Sequence, residues 1–221
     1  MKIGIIVPAY NAEKYIGSVI ARIMAVTECR IVVVDDGSSD HTVEQVKNLA
    51  VGVLCHSANR GKGEALKTGF KYAIEQGFDA VITIDADGQH DPYFIPLFIQ
   101  TVAMNSYDII IGSRMKDIKT MPFHRQLSNR ITSFLISIRV RQRIEDSQCG
   151  YRLIKIDVLK KIALNTHRFE TESEILLKSG ILGFRIGHIP IHTIYAGEST
   201  AMKLVADTVR FIKLYLSSFF W

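Results

Sequence analysis

The stretch AVITIDADGQH at residues 80–90 decides how the rest of the chain is interpreted. Its first five residues, Ala80 to Ile84, form an apolar, β-branched run that is typical of a buried strand. Asp85 and Asp87 follow at the carboxyl end of that run. Like charges this close repel each other, and a divalent cation with oxygen ligands relieves the repulsion. Because nucleotides and their phosphates bind at the carboxyl ends of strands in α/β sheets, the stretch indicates a metal-assisted nucleotide site.

The first half of the chain alternates apolar, β-branched runs with segments of helical periodicity. The predicted strands are Ile3–Val7, Arg30–Val34, Val51–Cys55, Ala80–Ile84 and Asp108–Ile111. The predicted helices are 12–25, 41–49, 63–76 and 92–103, with Asp40 and Asp91 as candidate N-caps. Strands spaced by helices of this length predict an α/β fold, in which a doubly wound, mostly parallel sheet carries helices on both faces.

The second half is richer in helical patterns. Helices are predicted at 122–143, 158–164 and 172–182, and again from about residue 199. A strand-like run at 185–195 is interrupted at Pro190, which indicates an edge or a bend. Since we find no internal repeat and no clear linker, we predict a single domain over residues 1–221.

Composition is that of a globular protein. The 221 residues are long enough for one sizeable core, and 48% hydrophobic with 22% charged residues argues against disorder. Cys29, Cys55 and Cys149 lack metal-ligand spacing and predict free thiols in a reducing compartment. The N-terminal apolar run is too short for a signal peptide, and no stretch approaches the ~18 uncharged apolar residues of a membrane span. We therefore expect a cytoplasmic protein.

Asp85, Asp87 and Gln89 are the candidate metal ligands. Alternate residues of an extended segment point the same way, so these three oxygen-bearing side chains can converge on one ion. Mg²⁺ or Mn²⁺ suits such ligands, with substrate phosphates completing the coordination shell. The alternative is a solvated turn, in which Asp and Gly are common.

Other polar residues follow other predicted strands. In VVVDDGSSD at 32–40, the Asp36 carboxylate can accept hydrogen bonds from a base or ribose; the alternative is that Asp36 only caps the next helix. Tyr10 can stack on a base. Arg114 follows the fifth predicted strand and can hold phosphate oxygens, unless it is an ordinary exposed arginine in a turn.

The loop NRGKG at 59–63 opens a predicted helix. Its backbone N–H groups and the Lys62 charge can approach a nucleotide. The loop lacks the spacing of a Walker motif, however, and no GxGxxG follows the first strand. The second absence argues against a dinucleotide oxidoreductase.

Taken together, these motifs resemble glycosyltransferase family 2, whose members have the Rossmann-like GT-A fold. Within it, the likeness is greatest to the dolichyl- and polyprenyl-phosphate sugar transferases, such as dolichol-phosphate mannose synthase. It runs over nearly the whole chain. Its pieces are PAYN at 8–11, VVVDDGSSD at 32–40, NRGKGEAL at 59–66, DADGQHDP at 85–92, GSR at 112–114, DSQCGYR at 146–152, FETESE at 169–174 and AGES at 196–199.

The resemblance implies a metal-dependent, inverting glycosyltransferase that uses a UDP- or GDP-linked sugar and a polyprenyl or dolichyl phosphate acceptor. Residues 1–115 would bind the nucleotide sugar, and residues 116–221 would form the acceptor side. The implied metal, Mg²⁺ or Mn²⁺, would be held by Asp85, Asp87 and Gln89. The expected donor-binding residues are Pro8, Tyr10, Val34, Asp36, Lys62, Asp85, Ala86 and Asp87. The expected catalytic residues are Asp87, Arg114, Gln148, Arg152 and Glu172.

The kind of acceptor decides whether the reaction needs a general base. A lipid phosphate is already anionic near neutral pH, whereas a sugar hydroxyl needs a base, for which Glu172 or Glu174 is the candidate. A solvated helix face is the alternative for both acids. Two other functions therefore stay open: transfer to a saccharide hydroxyl in polysaccharide or glycan synthesis, and binding of a nucleotide sugar at a membrane surface without turnover.

Two places depart from the mannosyl members of the family. Ala12 stands where those members usually carry a glutamate. Near AGES, Ile194 and Thr200 stand where they carry an arginine and a lysine, and His192 or Lys203 is a candidate substitute. These departures point to a UDP-sugar in place of GDP-mannose.

Two basic amphipathic helices predict contact with a membrane surface. The helix at 122–143 has a stripe of Phe123, Leu127, Ile131, Phe134, Leu135 and Ile138 beside His124, Arg125, Arg130, Arg139, Arg141 and Arg143. The C-terminal helix places Val205, Val209, Ile212, Leu216 and Phe219 on one face and ends in Phe220 and Trp221. Core packing is the alternative. We expect a peripheral protein at the inner face of the cell membrane, with a membrane-protein partner or a homo-oligomer left open. No aromatic-interleaved motif indicates a nucleic-acid partner.

Overall fold

A computed structural model describes residues 1–115, 121–194 and 204–221, with only the backbone described for Leu204 and Val205. The AGES motif at 196–199, Thr200 and Lys203 lie outside the described residues, as does the side chain of Val205.

Seven strands in the described part of the chain form one sheet, and their order is β3-β2-β1-β4-β6-β5-β7. The strands are β1 Ile3–Ala9, β2 Arg30–Asp35, β3 Gly52–Cys55, β4 Ala80–Thr83, β5 Ile109–Ser113, β6 Arg152–Lys155 and β7 Ile186–Pro190. Strands β1 to β4 pair in parallel, and β5 pairs in parallel with β7. Strand β6 runs antiparallel to both of its neighbours, β4 and β5. The predicted mostly parallel sheet is confirmed.

The helices of the described ranges cover the sheet. They are α1 Ile16–Met24, α2 Lys62–Glu75, α3 Ile95–Met104, α4 Phe123–Val140, α5 Ile156–Lys161, α6 Glu170–Ile181 and α7 Leu204–Ser217. Every residue of β1, β4 and β5 is buried, so both faces of the sheet are covered. Asp91 is the N-cap that the sequence predicts: its carboxylate accepts the Tyr93 N–H at 3.0 Å, at the start of a 3₁₀ turn at Pro92–Phe94 that leads into α3.

The helix predicted at 41–49 is wrong, because this segment forms a series of turns. Asp40 holds its start by accepting hydrogen bonds from the Thr42 N–H at 3.0 Å and the Thr42 hydroxyl at 2.5 Å. Asp40 also accepts the Glu13 N–H at 3.1 Å, which ties the segment to the start of the chain. Side chains that bond nearby backbone groups in this way offer an alternative to a regular helix.

Strand β6 is absent from the prediction. It has only four residues and begins with an arginine, so it lacks the apolar run that marks the other strands. In the sheet, Arg152 pairs with Thr83 of β4 and with Ile111 of β5. Because β6 is antiparallel, its first residue lies at the carboxyl ends of both neighbours. The loop at 146–151 therefore reaches the same edge of the sheet as Asp85.

Helix α4 packs with its polar side inward. Its buried residues are Asn129, Ser133, Ile136 and Val140. Five residues of the predicted apolar stripe face outward instead, and we call them the α4 stripe: Phe123, Leu127, Ile131, Phe134 and Ile138, which are 48% to 76% exposed. Only Leu135 of the predicted stripe packs against the core within the described residues. Core packing therefore does not explain this apolar surface.

Helix α7 shows a similar division. Phe211 and Leu214 are buried, whereas Val209, Ile212 and Leu216 are about half exposed. Arg139 of α4 donates hydrogen bonds to Ser218 and lies 4.9 Å from the centre of the Phe219 ring, so the ends of α4 and α7 are adjacent. No helix among the described residues combines the length and hydropathy needed to cross a membrane.

Candidate active site

The acidic tip of β4 lies against the loop at 146–151. The Thr83 hydroxyl donates to the Gly150 carbonyl at 2.7 Å and so ties this loop to the strand. Directly beyond the strand, the Asp85 side chain is 22% exposed. The loop, which the resemblance assigns to the acceptor side, therefore reaches the acids that are expected to hold the leaving group.

A lysine that is largely withdrawn from water joins the β4 tip to α6. Lys62 Nζ, at the start of α2, lies 2.7 Å from Asp85 Oδ1 and 2.9 Å from Glu172 Oε1. We call these three side chains the Lys62 cluster. A Cβ atom at Gly150 would lie 2.7 to 2.9 Å from the charged ends of all three side chains, so a larger residue there would have to displace the cluster. His90 lies beside the cluster, with its Nε2 3.6 Å from Asp85 Oδ2.

The two acids of the tip differ in their electrostatic surroundings. Burial raises the pKa of Asp85, but Lys62 and the nearby His90 outweigh burial, and the pKa lies well below the usual range. Burial and the neighbouring Asp85 charge together raise the pKa of Asp87. Burial lowers the pKa of Lys62, but the two carboxylates beside the ammonium have the larger effect and raise the pKa above its usual value. The ammonium therefore stays charged. Lys62 and His90 offset the rise at Asp87 only in part, so Asp87 is the acid whose charge is less well compensated.

The donor set suits a divalent cation shared with a substrate. No three His, Cys, Asp or Glu side chains converge as a metal site within residues 1–115, 121–194 and 204–221. Mg²⁺, however, is commonly bound by one or two carboxylates together with substrate phosphates. Asp87, whose Oδ1 accepts the Gln89 N–H at 3.0 Å, provides such a carboxylate and gains from a nearby cation. The residues therefore fit a metal that arrives with a diphosphate.

Asp36 organises the loop that carries Lys62. It is 2% exposed, and its carboxylate accepts the Arg60 N–H at 3.0 Å and the Gly61 N–H at 2.7 Å. His56 Nδ1 lies 2.7 Å from Asp36 Oδ1, and His56 Nε2 lies 2.8 Å from the Thr68 hydroxyl of α2. The expected contact of Asp36 with a base or ribose stays a prediction, because these bonds already engage both carboxylate oxygens.

The other expected nucleotide contacts differ in exposure. Tyr10 is 49% exposed at the end of β1 and is free to stack on a base. Val34 and Ala86 are buried, as is Pro8. Asn11, the residue after Tyr10, has a positive φ of 49°, and its side-chain oxygen accepts the Ser39 N–H at 2.9 Å. This places the turn after β1 against the segment after β2, where a nucleotide is expected.

Arg114 forms a buried ion pair. Its Nε and one terminal nitrogen each donate to Asp146 at 2.8 Å, and its backbone N–H donates to the same carboxylate at 3.0 Å. Asn129 of α4 donates a further bond to Asp146 at 2.7 Å. The Arg114 side chain remains 15% exposed. The pair anchors the end of β5 to the loop at 146–151, and the expected contact with phosphate stays a prediction.

Gln148 and Arg152, expected near the reacting groups, have different surroundings. Gln148 is partly exposed, and its amide nitrogen donates to the Ser128 hydroxyl at 3.1 Å. Arg152 is 1% exposed, and three of its nitrogens donate at 2.6 to 2.7 Å to the carbonyls of Cys149, Glu172 and Ser147. In this structure Arg152 shapes the loop from within, so a direct role in the reaction would require it to exchange these bonds.

Two acids on α6 are the base candidates, and both are engaged. Glu172 is 6% exposed and pairs with Lys62. Glu174 is 1% exposed; it accepts the Thr166 hydroxyl at 2.6 Å and pairs with Lys178 at 2.7 Å. The alternative of a solvated helix face is therefore wrong for both. Glu174 belongs to the core of this half of the protein.

Sequence reasoning missed three residues that hold the site together: His56, His90 and Asp146. His90 stands in the acidic motif itself, and Asp146 opens the DSQCGYR segment. His56 is the first residue after β3, so its position at the carboxyl edge of a predicted strand was the available signal. The partners of His56 and Asp146 lie 20 and 32 residues away in the sequence, and His90 meets Asp85 only because the chain turns between them.

The chain is similar in sequence to known glycosyltransferases. The family model described as Glycosyl transferase family 2 matches residues 4–163. A UDP-N-acetylglucosamine–dolichyl-phosphate N-acetylglucosaminyltransferase from Methanococcus voltae is 35% identical over 219 residues, which covers 89% of this chain and 87% of the relative. An undecaprenyl-phosphate mannosyltransferase from Micrococcus luteus is 29% identical over 203 residues, covering 86% and 83%.

A solved structure extends the likeness to the fold. Glucosyl-3-phosphoglycerate synthase from Mycobacterium tuberculosis, in complex with Mn²⁺, UDP and phosphoglyceric acid, matches with a TM-score of 0.76 at 19% identity. The match covers 98% of this chain and 78% of that one. At this identity the likeness concerns the fold, which is GT-A as predicted.

Proposed function

Because the chain belongs to glycosyltransferase family 2, we propose that it transfers a sugar from a nucleoside-diphosphate donor to a polyprenyl phosphate, with inversion at the sugar carbon. One observation carries the proposal: the acids at the tip of β4 meet Lys62 and the loop at 146–151 at a single edge of the sheet. A UDP-sugar is the first donor to test. The Methanococcus relative is named for a UDP-linked donor, and Ala12 departs from the mannosyl members.

The residues present assign separate tasks within this reaction. A bound Mg²⁺ or Mn²⁺ would neutralise the charge that develops on the departing diphosphate. Asp87 and Asp85 would hold that cation, and Gln89 is the third predicted ligand. Lys62 supplies a second positive charge at the same place, and Asp36 fixes the loop that presents it. Tyr10 offers an exposed ring for the base.

The state of the two α6 acids favours a phosphate acceptor over a hydroxyl. A hydroxyl needs a general base within reach. The Glu172 carboxylate, however, faces the Lys62 ammonium at 2.9 Å, and the buried Glu174 carboxylate is engaged by the nearby Thr166 hydroxyl. An acceptor that is already anionic needs no such base. Transfer to a saccharide hydroxyl is thus the less supported alternative.

An open groove beside α4 suits the lipid acceptor. It has a volume of about 710 Å³, and its lining includes Met115, the residue after Arg114. Phe134, Ile138 and Ile144 line it with apolar surface. Its remaining lining includes Arg130, Arg141 and Arg143. Apolar walls with guanidinium groups match a molecule that joins an isoprenoid chain to a phosphate.

The same helix supports docking on a membrane surface. Helix α4 has no acidic residue, and its stripe faces outward beside several arginines. Such a surface suits a bilayer with anionic head groups, where the polyprenyl phosphate resides. The cytoplasmic location expected from the sequence stays a prediction.

The proposal is tested by incubating the protein with radiolabelled UDP- and GDP-sugars and polyprenyl phosphate, with and without Mn²⁺ or Mg²⁺. We expect labelled lipid with at least one UDP-sugar in the presence of metal. Asp87→Ala should lower the rate by about 10²-fold or more, because it removes the acid that would hold the cation. The matched control is Asp79→Ala, whose carboxylate bonds the Lys2 N–H away from the site.

Each outcome separates the candidate functions. Label on a saccharide but not on the lipid would favour the hydroxyl alternative. Binding of UDP-sugars without transfer from any donor would favour the catalytically silent protein and overturn the proposal.

A further inference from the structure

Each carboxylate oxygen of Asp85 faces a nitrogen atom that the chain itself supplies, and one of the two belongs to a cation. Lys62 Nζ lies 2.7 Å from Oδ1, and His90 Nε2 lies 3.6 Å from Oδ2. Asp87, two residues later, has no ion-pair partner within the described ranges, and its Oδ1 accepts only a backbone N–H at 3.0 Å. The two acids of the motif are therefore unequal: one is already neutralised, and the other is not.

The position of Lys62 is fixed from several sides. Its side chain is 18% exposed and is also held by Glu172 Oε1 at 2.9 Å. The Phe169 ring centre lies 5.8 Å from the ammonium. The residue before it, Gly61, is bound to buried Asp36 through its N–H at 2.7 Å, and Gly150 lies against the cluster, where a Cβ would come within 2.9 Å of Lys62 Nζ. Residues from several separate segments of the chain thus hold Lys62 in contact with Asp85.

We propose that Lys62 competes with the divalent cation for Asp85. An ammonium on one oxygen of a carboxylate and a divalent cation on the other repel each other, so a metal binds Asp85 more weakly while Lys62 is paired with that acid. The inference rests on the proposed function, because it concerns the metal of that reaction. It assigns the first contact of the metal to Asp87, and it makes Asp85 a ligand only after Lys62 has found another anion.

The donor's diphosphate is the anion that can release Lys62. A phosphate oxygen near the ammonium replaces the Asp85 carboxylate as its partner, and Asp85 then becomes available to the metal. Metal and nucleotide should therefore bind cooperatively, each increasing the affinity for the other by the same factor. In a protein without the lysine, much of this coupling should disappear.

Mn²⁺ binding without any nucleotide tests the competition directly. Free Mn²⁺ is measured by electron paramagnetic resonance during titration of wild type, Lys62→Met, Asp85→Asn, Asp87→Asn and the double variant Lys62→Met/Asp85→Asn. Lys67→Met is the matched control, since Lys67 lies on the same helix and pairs with Glu64 outside the cluster. Circular dichroism and thermal unfolding confirm that each variant is folded.

We expect Lys62→Met to bind Mn²⁺ about tenfold tighter than wild type, and Asp85→Asn to change the wild-type affinity by less than about twofold. Asp87→Asn should weaken binding by about tenfold or more, and the double variant should lose the gain of Lys62→Met. UDP should increase the Mn²⁺ affinity of wild type more than that of Lys62→Met. Lys67→Met should behave as wild type.

Two results would overturn the competition. One is an unchanged or weaker Mn²⁺ affinity in folded Lys62→Met, as expected if the lysine only ties α2 to α6. The other, which needs no lysine variant, is a loss in Asp85→Asn as large as in Asp87→Asn, since Asp85 would then be a ligand from the start. Sugar transfer by the wild type in the same preparation would leave the proposed function standing in either case.

Discussion

At the scale of single residues, the site depends on charges that the fold pairs before any ligand arrives. Lys62 with Glu172 and Arg114 with Asp146 are each largely withdrawn from water. A charge taken out of water without a partner costs several kcal/mol, so removal of one member affects both folding and chemistry. The effect on folding can be separated from the effect on chemistry where an ion pair lies beside the site but does not include an expected metal ligand. Arg114 and Asp146 form such a pair.

Asp146→Asn tests the Arg114 pair. It should destabilise the protein by about 3 kcal/mol at pH 7, because it leaves the Arg114 guanidinium without its counter-charge. Burial raises the pKa of Asp146, but Arg114 outweighs burial and brings it below the usual value. The pair's contribution is therefore complete above the unfolded pKa of about 3.9 and is lost as pH falls below it. Urea unfolding between pH 5 and pH 3 measures both effects.

The control is to compare how steeply the free energy of unfolding falls with pH in wild type and in Asp146→Asn. Glu174 and Glu64 also have lowered pKa values, and they contribute equally in wild type and variant. Wild type should lose more stability than Asp146→Asn over this pH range. Parallel slopes would show that the pair is not the source of the dependence.

Residue types could be predicted from the sequence where the signal is local. Asp85 and Asp87 follow an apolar run, so their place at a strand tip needed no knowledge of distant segments. The partners of these acids could not be read in this way. Lys62 meets Glu172 only because α2 and α6 pack together, and Asp36 meets His56 only because β2 and β3 are neighbours.

At the scale of elements, close packing of two helices supports the acceptor side. Gly180 of α6 faces Val140 of α4, and a Cβ atom there would lie 2.4 Å from the Val140 Cβ. That atom is close to the backbone and cannot turn away. The position of α4, and with it the groove at Met115, thus depends on a glycine.

Gly180→Ala should destabilise the protein by about 1 to 2 kcal/mol in urea unfolding. Overpacking costs about 1–3 kcal/mol, and the better helix propensity of alanine recovers only part of it. Gly17→Ala in α1 is the matched control, because the nearest atom to its Cβ is the Gln45 Oε1 at 3.7 Å, an ordinary contact. That variant should be stabilised by about 0.5–1 kcal/mol. Equal stability of the two variants would contradict the close contact.

Most elements could be predicted, and the two failures have physical reasons. Apolar periodicity found the long helices and the buried strands, with ends shifted by a few residues. Segment 41–49 has helical periodicity, but Asp40 and Thr42 bond the backbone locally and end the regular pattern. Strand β6 has too few residues to show a period, and its pairing is set by β4 and β5 on either side.

At the scale of the whole molecule, the apolar surface of α4 lies outside the core. Phe123 and Phe134 are 76% and 64% exposed on a helix without acidic residues. The sequence could predict the stripe and its charges, but not which way the stripe faces. Its outward direction follows from the bonds of Asn129 and Ser133 to the loop at 144–148, which hold the polar side of α4 inward.

Vesicle sedimentation checks the proposed membrane contact. Wild type should sediment with vesicles that contain anionic lipid, and Phe134→Ser should lower the partition coefficient by about tenfold, since a phenylalanine contributes about 1.5–3 kcal/mol on burial. The matched control is Met104→Ser, because Met104 is 75% exposed on α3. Equal sedimentation of the two variants would show that the α4 stripe does not make the contact.

The antiparallel strand β6 also decides when the sheet can close as the chain is made. β4 and β5 are not neighbours; each reaches the other only through residues 152–155. The chain is made from its N-terminus, so strands β1 to β4 are all present before β5 is made. Both neighbours of β5 in the sheet, β6 and β7, come later in the chain, so β5 has no partner until they are made. The loop at 146–151 arrives with β6, so the acids at the β4 tip gain their acceptor-side neighbour only when the sheet closes. A half-made chain would carry the acids but no working site.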